Sequence, residues 1–220
     1  LEFISERSKQ PEYKNRNSPL IMSKVTRPVS VAVLIYDGVY LLDVTGPIEV
    51  FNDVNLAEKE ELIHVFTIAA TRDLVTAHSG TLLVPNYCID EKVMIDILVI
   101  PGGDRDIADK IPALKEWILS EAKRAEIILS VCTGSLILGK LGLLDYQRAS
   151  TWYGALEDLQ AISSRIIPDN SRITDNGKII TTGGITAGID GSFYVVEKYF
   201  DREVAEETAK YMEWELRMFH

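Results

Sequence analysis

Positive charge is scarce in this chain. Its 220 residues carry 23 lysines and arginines against 33 aspartates and glutamates, a formal net charge of -10 and a pI near 4.9. Such a surface gives no footprint for phosphate backbones or anionic lipid, so nucleic acid is not expected as a partner. Long apolar runs are also lacking: none approaches the length that spans a bilayer, and the N-terminus has no apolar core followed by a small-residue cleavage site. The expected location is therefore the cytoplasm, with no membrane contact. Only two cysteines occur, Cys88 and Cys132, enough for one disulfide at most. Both lie near apolar runs and neither belongs to a CxxC or Cys/His cluster, so reduced thiols are the simpler expectation. The three histidines, His64, His78 and His220, have no metal-ligand spacing, and no P-loop or GxGxxG is present. Neither a metal nor a cofactor is expected.

What the chain does have is enough apolar content, 46% with a mean hydropathy near zero, to bury one sizeable core. Residues 1–28 are polar, contain three prolines and lack apolar periodicity; they read as a flexible leader or tag-like extension, with Met22 as a candidate native start. Residues 29–220 read as a single domain. Strand patterns cover 29–36, 63–70, 81–84, 94–100 and 127–131, the third paired in a hairpin with the residues near Val75. Helical spacing follows Asp37-Gly38 through Phe51, and again over 111–123, 155–161, 185–199 and 203–217, with a break at Asp201. A short strand is expected at 148–151 and a hairpin around Asn176-Gly177. Strands alternating with helices predict an α/β fold with a mostly parallel central sheet and helices on both faces.

The segment 127–139 (IILSVCTGSLILG) mounts a thiol where a buried strand meets a helix. At that junction Cys132 faces unpaired NH groups and the positive end of the helix, which favours the nucleophilic thiolate. Ser130 and Gly134 flank it at two residues' distance, small enough for a sharp strand-to-helix turn. A free cysteine packed as a small hydrophobe is the plain alternative, and Cys88 is read that way. Glycine pairs at 102–103 and 183–184 also follow apolar strands. If those strands are parallel neighbours, their loops converge on Cys132, since ligands in such sheets bind beyond the carboxyl ends of the strands. The loops would then supply NH donors, although each pair also serves simply to relieve turn strain.

Four ordered segments, LLDVTGPIEVF (41–51), DILVIPGG (96–103), SVCTGSLILG (130–139) and TGGITAGID (182–190), give the chain a resemblance to the ThiJ/PfpI superfamily over about 29–200. These are flavodoxin-like relatives of class I glutamine amidotransferases, and the isocyanide hydratase branch is the most similar. The resemblance implies a flavodoxin-like three-layer sandwich and a homodimer that needs no cofactor. It implies Cys132 as the nucleophile on a small-molecule electrophile and Asp43 as the acidic group beside it. Otherwise Asp43 reads as a helix N-cap. Thr133 is expected to orient substrate or water, with the backbone of Gly102 and Gly103 as substrate or oxyanion donors. Glu49 reads as a solvated helix residue. The chain departs from the pattern at 149–153, where Ala-Ser-Thr-Trp-Tyr stands in place of a Thr-Thr-His-Trp-like run. The missing histidine disfavours a Cys/His hydrolase, and Trp152 and Tyr153 are either core aromatics or pocket residues.

The expected reaction is hydration of an isocyanide to an N-substituted formamide through a thioimidate. Two alternatives use the same thiol: a glyoxalase-like hydratase of small reactive aldehydes, and a stress sensor whose Cys132 is oxidised reversibly. A transcription regulator is disfavoured by the acidic charge and by the short stretch after residue 200.

Overall fold

A computed structural model describes residues 27–216. The leader assignment falls outside that range except for its end, where the Arg27 guanidinium clamps both oxygens of Asp96 at 2.7 Å. At the centre is a seven-stranded sheet. Its spatial order is β10 (Ile173–Asp175), β11 (Ile179–Thr182), β7 (Ile127–Ser130), β6 (Ile97–Ile100), β1 (Val29–Leu34), β2 (Ile63–Ala69) and β5 (Tyr87–Cys88). All neighbours are parallel except β10 and β11, the hairpin announced by Asn176-Gly177. Strands β6 and β7 are buried at every position, which is why they read as continuous apolar runs rather than alternating ones.

Right-handed crossovers decide where the helices lie. The step from β1 to β2 through α1 (Leu41–Glu58) runs one way along the sheet, and the step from β6 to β7 through α3 (Pro112–Arg124) runs the other, so α1 and α3 cover opposite faces. On the first face α1 packs with α6 (Ala187–Tyr199) and α7 (Arg202–Tyr211); on the second lie α3, α4 (Gly134–Lys140) and α5 (Leu156–Ile162). The result is a flavodoxin-like three-layer fold. It reverses direction between β1 and β6, and the loops after β1, β6 and β7 open at that point.

Local chemistry sets several boundaries. Asn55 pins the turn from α1 into β2: its Oδ1 accepts from the amides of Leu62 and Ile63, and its Nδ2 donates to the Ile63 carbonyl. Pro112 opens α3 where a missing NH has no effect. Asp201 caps α7 by accepting from the Val204 amide at 3.0 Å. That helix ends at Tyr211, short of the expected 217. Glu213 turns into the left-handed region, and Trp214 swings back to donate its indole NH to Asp190 at 3.1 Å. Four short elements were not expected from the sequence: β5, the single turn α2 (Ile107–Lys110), the 3-10 turn Tyr153–Ala155, and β9 (Ile167–Asp169), which pairs with β8 (Arg148–Ser150). The hairpin of β3 (Val75–Thr76) and β4 (Leu82–Leu83) lies where the pattern placed it.

Candidate active site

Cys132 sits two residues beyond Ser130, the end of β7, with a backbone φ of +57°. A side chain in that region costs about 1 kcal/mol or more, so the surroundings must hold it. Its amide donates to the Gly183 carbonyl at 3.0 Å, and its carbonyl accepts from the hydroxyls of Thr151 at 3.0 Å and Ser135 at 3.2 Å. Gly134 makes the turn possible, because a Cβ there would lie 2.1 Å from the Ile100 carbonyl oxygen. The thiol residue is buried, at 4% exposure.

Asp43, the third residue of α1, is wholly buried. It does not cap its own helix; its Oδ2 accepts from the Gly102 amide at 3.0 Å across the switch point of the sheet. The other oxygen, Oδ1, has no hydrogen-bond partner among the described residues. Thr133 Oγ1 accepts from the Gly103 amide at 3.1 Å. Gly102 is the floor on which these groups meet: a Cβ there would lie 2.7 Å from Asp43 Oδ2, 2.8 Å from Thr133 Oγ1 and 2.9 Å from Cys132 Cβ. All five residues expected at the site therefore converge. The amides of Gly102 and Gly103 are engaged by Asp43 and Thr133, which leaves them no hydrogen for a substrate in this arrangement.

The donors that reach the sulfur are instead the amides of Thr133 and Ile185. Ile185 was not singled out in the sequence, although its glycine loop was. Its own φ is +50°, in the left-handed region. Both amides favour thiolate, yet burial first, and then the Asp43 charge, push the Cys132 thiol up to about 11. The expected thiolate bias of the helix end is thus overcome; α4 is only seven residues long and its field is outweighed by desolvation. Burial likewise raises the Asp43 carboxyl to about 6, against the Gly102 hydrogen bond and the neighbouring thiol, which lower it. Burial thus disfavours the charged form of both groups, the thiolate more strongly than the carboxylate.

Among the described residues no histidine is among the groups that shift the Cys132 thiol. His64 lies on β2, His78 stacks on Tyr40 at 4.7 Å, and His220 falls outside the described residues. Trp152 and Tyr153 are not core residues: they are 39% and 75% exposed and line a cavity of about 450 Å³ against the 183–187 loop. Glu49 is exposed on α1 as expected. Cys88 is a free, partly buried thiol on the edge strand β5. Among the described residues no group of three or more acidic, His or Cys side chains is placed to hold a metal ion, and no helix is long and apolar enough to cross a membrane.

A strained cysteine at a strand-to-helix elbow, with a buried carboxyl across the switch point, defines a class of α/β proteins that mount a thiol at the reversal of the sheet. Residues 29–198 match the model of the DJ-1/PfpI family, and the chain belongs to that family. It is 30% identical over 185 residues to an isonitrile hydratase of Pseudomonas putida, covering 81% of this chain and 75% of the relative. It is 22% identical to the HTH-type transcriptional regulator GbdR of Pseudomonas aeruginosa over 86% of this chain, but spans only 51% of that regulator. Among solved structures, a ThiJ/PfpI family protein from Pseudomonas syringae superposes with a TM-score of 0.79 at 27% identity, covering 97% of this chain and 86% of that one.

Proposed function

We propose that the protein hydrates an isocyanide to an N-substituted formamide, with Cys132 as nucleophile and Asp43 as its proton carrier. The observation that carries this reading is the buried Asp43 carboxyl set beside the buried Cys132 over the Gly102 floor, in a site with very little access to sulfur. An isocyanide presents its reactive carbon bare at the tip of a linear group, so it reaches a thiol that a substituted carbonyl carbon would approach only by displacing the walls. The likeness to the P. putida isonitrile hydratase supports the same choice.

As sulfur attacks the terminal carbon, Asp43 takes the thiol proton and returns it to that carbon, giving an enzyme-bound thioimidate, R–N=CH–S–Cys132. The Asp43 carboxylate then accepts a proton from water, whose oxygen adds to the same carbon, and Asp43 passes that proton to the nitrogen. Collapse of the tetrahedral adduct breaks the C–S bond and releases R–NH–CHO, with the proton restored to sulfur. The net change is the addition of one water. The amides of Thr133 and Ile185 face the sulfur as it gains charge, and Thr133 Oγ1 sits where it can orient the attacking water. Neither a metal nor a cofactor enters the scheme. The same reading takes the protein as a cytoplasmic homodimer with no nucleic-acid partner.

The test is parallel turnover of an aryl isocyanide and a glyoxal by the wild type, Cys132→Ala and Asp43→Asn. Formamide from the wild type alone is the expected result, with a loss of about 10³-fold or more in both variants. Turnover confined to the glyoxal would replace this reading with the aldehyde one.

A further inference from the structure

We propose that the cavity beside the elbow is a subsite for the organic arm of the substrate, and that Arg172 selects arms ending in a carboxylate. This rests on the isocyanide reading only for where the arm begins. The floor of the cavity is the segment that also holds the nucleophile: Gly183 binds the Cys132 amide, and Ile185 turns its own amide to the sulfur. An arm attached to a group reacting at Cys132 has this space next to it. The volume, about 450 Å³, falls within the range of small-molecule sites.

The wall is aromatic. Trp152 lies directly on the backbone of Gly184, where a Cβ would meet its Cδ1 at 2.6 Å, and its ring stands 5.1 Å from that of Tyr153 at 55°. Together with Ile185, 38% exposed, these rings offer apolar surface to a planar arm.

At the polar end Arg172 is built in rather than loose. Its Nε donates to Asp190, which is wholly buried, and its Nη2 to Thr186 Oγ1 at 3.3 Å. The second oxygen of Asp190 is held by the Trp214 indole, and the Arg172 carbonyl accepts from the Gly183 amide at 3.0 Å. The guanidinium is thus fixed to the cavity floor, while Nη1 has no partner among the described residues. A fixed, charged donor with an unused NH on the edge of a largely apolar cavity recognises a carboxylate better than a neutral group.

The probes are two product-like amides that undergo no reaction, 4-formamidobenzoate and formanilide, with binding followed by NMR. The wild type should bind the benzoate about tenfold more tightly. Arg172→Gln should remove that preference and leave formanilide binding unchanged; the double variant Arg172→Gln, Asp190→Asn gives the same readout if the buried aspartate alone prevents folding. Trp152→Ala should weaken both probes alike. Equal affinity of the two probes for the wild type, or a preference that survives the loss of Arg172, overturns the proposal. Because nothing is turned over, the preference also stands apart from the reaction. If it is found without formamide production, the hydratase reading falls and the subsite stands.

Discussion

At Cys132 the fold sets a buried thiol beside the buried carboxyl of Asp43, 89 residues upstream in the sequence. On the proposed mechanism the ionisation of Asp43 governs turnover. Formamide turnover should rise with pH through about 6, as the carboxyl becomes able to take the thiol proton, and stay level into the alkaline range. A profile flat from pH 5 to 8 would contradict that role. The stability linkage has the opposite sign from that of a salt-bridged carboxylate. A folded-state value above the ordinary 3.8 means that stability is fullest below 3.8 and falls as pH rises through about 6. Asp43→Asn should therefore stabilise the fold by roughly 2 kcal/mol at pH 8 and very little at pH 3.5, as urea unfolding would measure. Loss of stability at pH 8 would show that the charge is better solvated than the geometry implies. The residues of the pair were legible in the sequence because both lie in family-like segments. Their ionisation was not, since it depends on burial, which no local pattern encodes.

The elements show why a short motif suffices to build the elbow. Gly134 lets the first turn of α4 lie on β6, and Thr151, from the strand end that lacks the usual histidine, ties down the Cys132 carbonyl. Gly134→Ala should cost roughly 3 kcal/mol, because the methyl meets backbone rather than a side chain that can move. For Gly184→Ala, by contrast, the nearest atoms the methyl meets belong to the Trp152 side chain, so Trp152→Ala should restore much of what it loses. Thermal melts of the two single variants and the double variant test both statements. Long buried strands and helices were readable from their runs and spacing. The two- and three-residue strands β5 and β9 were not, since pairing with an existing edge creates them and their own sequences carry no period. The early end of α7 was hidden for a similar reason: Trp214 leaves the helical pattern to satisfy Asp190, a contact set by tertiary structure.

In the whole molecule, the reversal of strand order between β1 and β6 creates the site. Asp43 comes from one side of that reversal, and Gly102 and Cys132 from the other, so the pair exists only in the assembled sheet. Sequence pattern gave the fold class, and the converging glycine loops gave the place, but the part played by Ile185 depended on a strained φ that appears only in three dimensions. Since the proposed scheme uses only the thiol, the carboxyl and water, prolonged dialysis against EDTA should leave turnover unchanged, and a loss restored by a divalent metal would count against it. The most direct test of covalent catalysis is the intact mass of the protein, acid-quenched within milliseconds of mixing with an aryl isocyanide. The expected result is a transient species heavier by one isocyanide, mapped to Cys132 and absent from Cys132→Ala. Formamide released with no adduct at any time, or an adduct on Cys88, would contradict a nucleophilic Cys132.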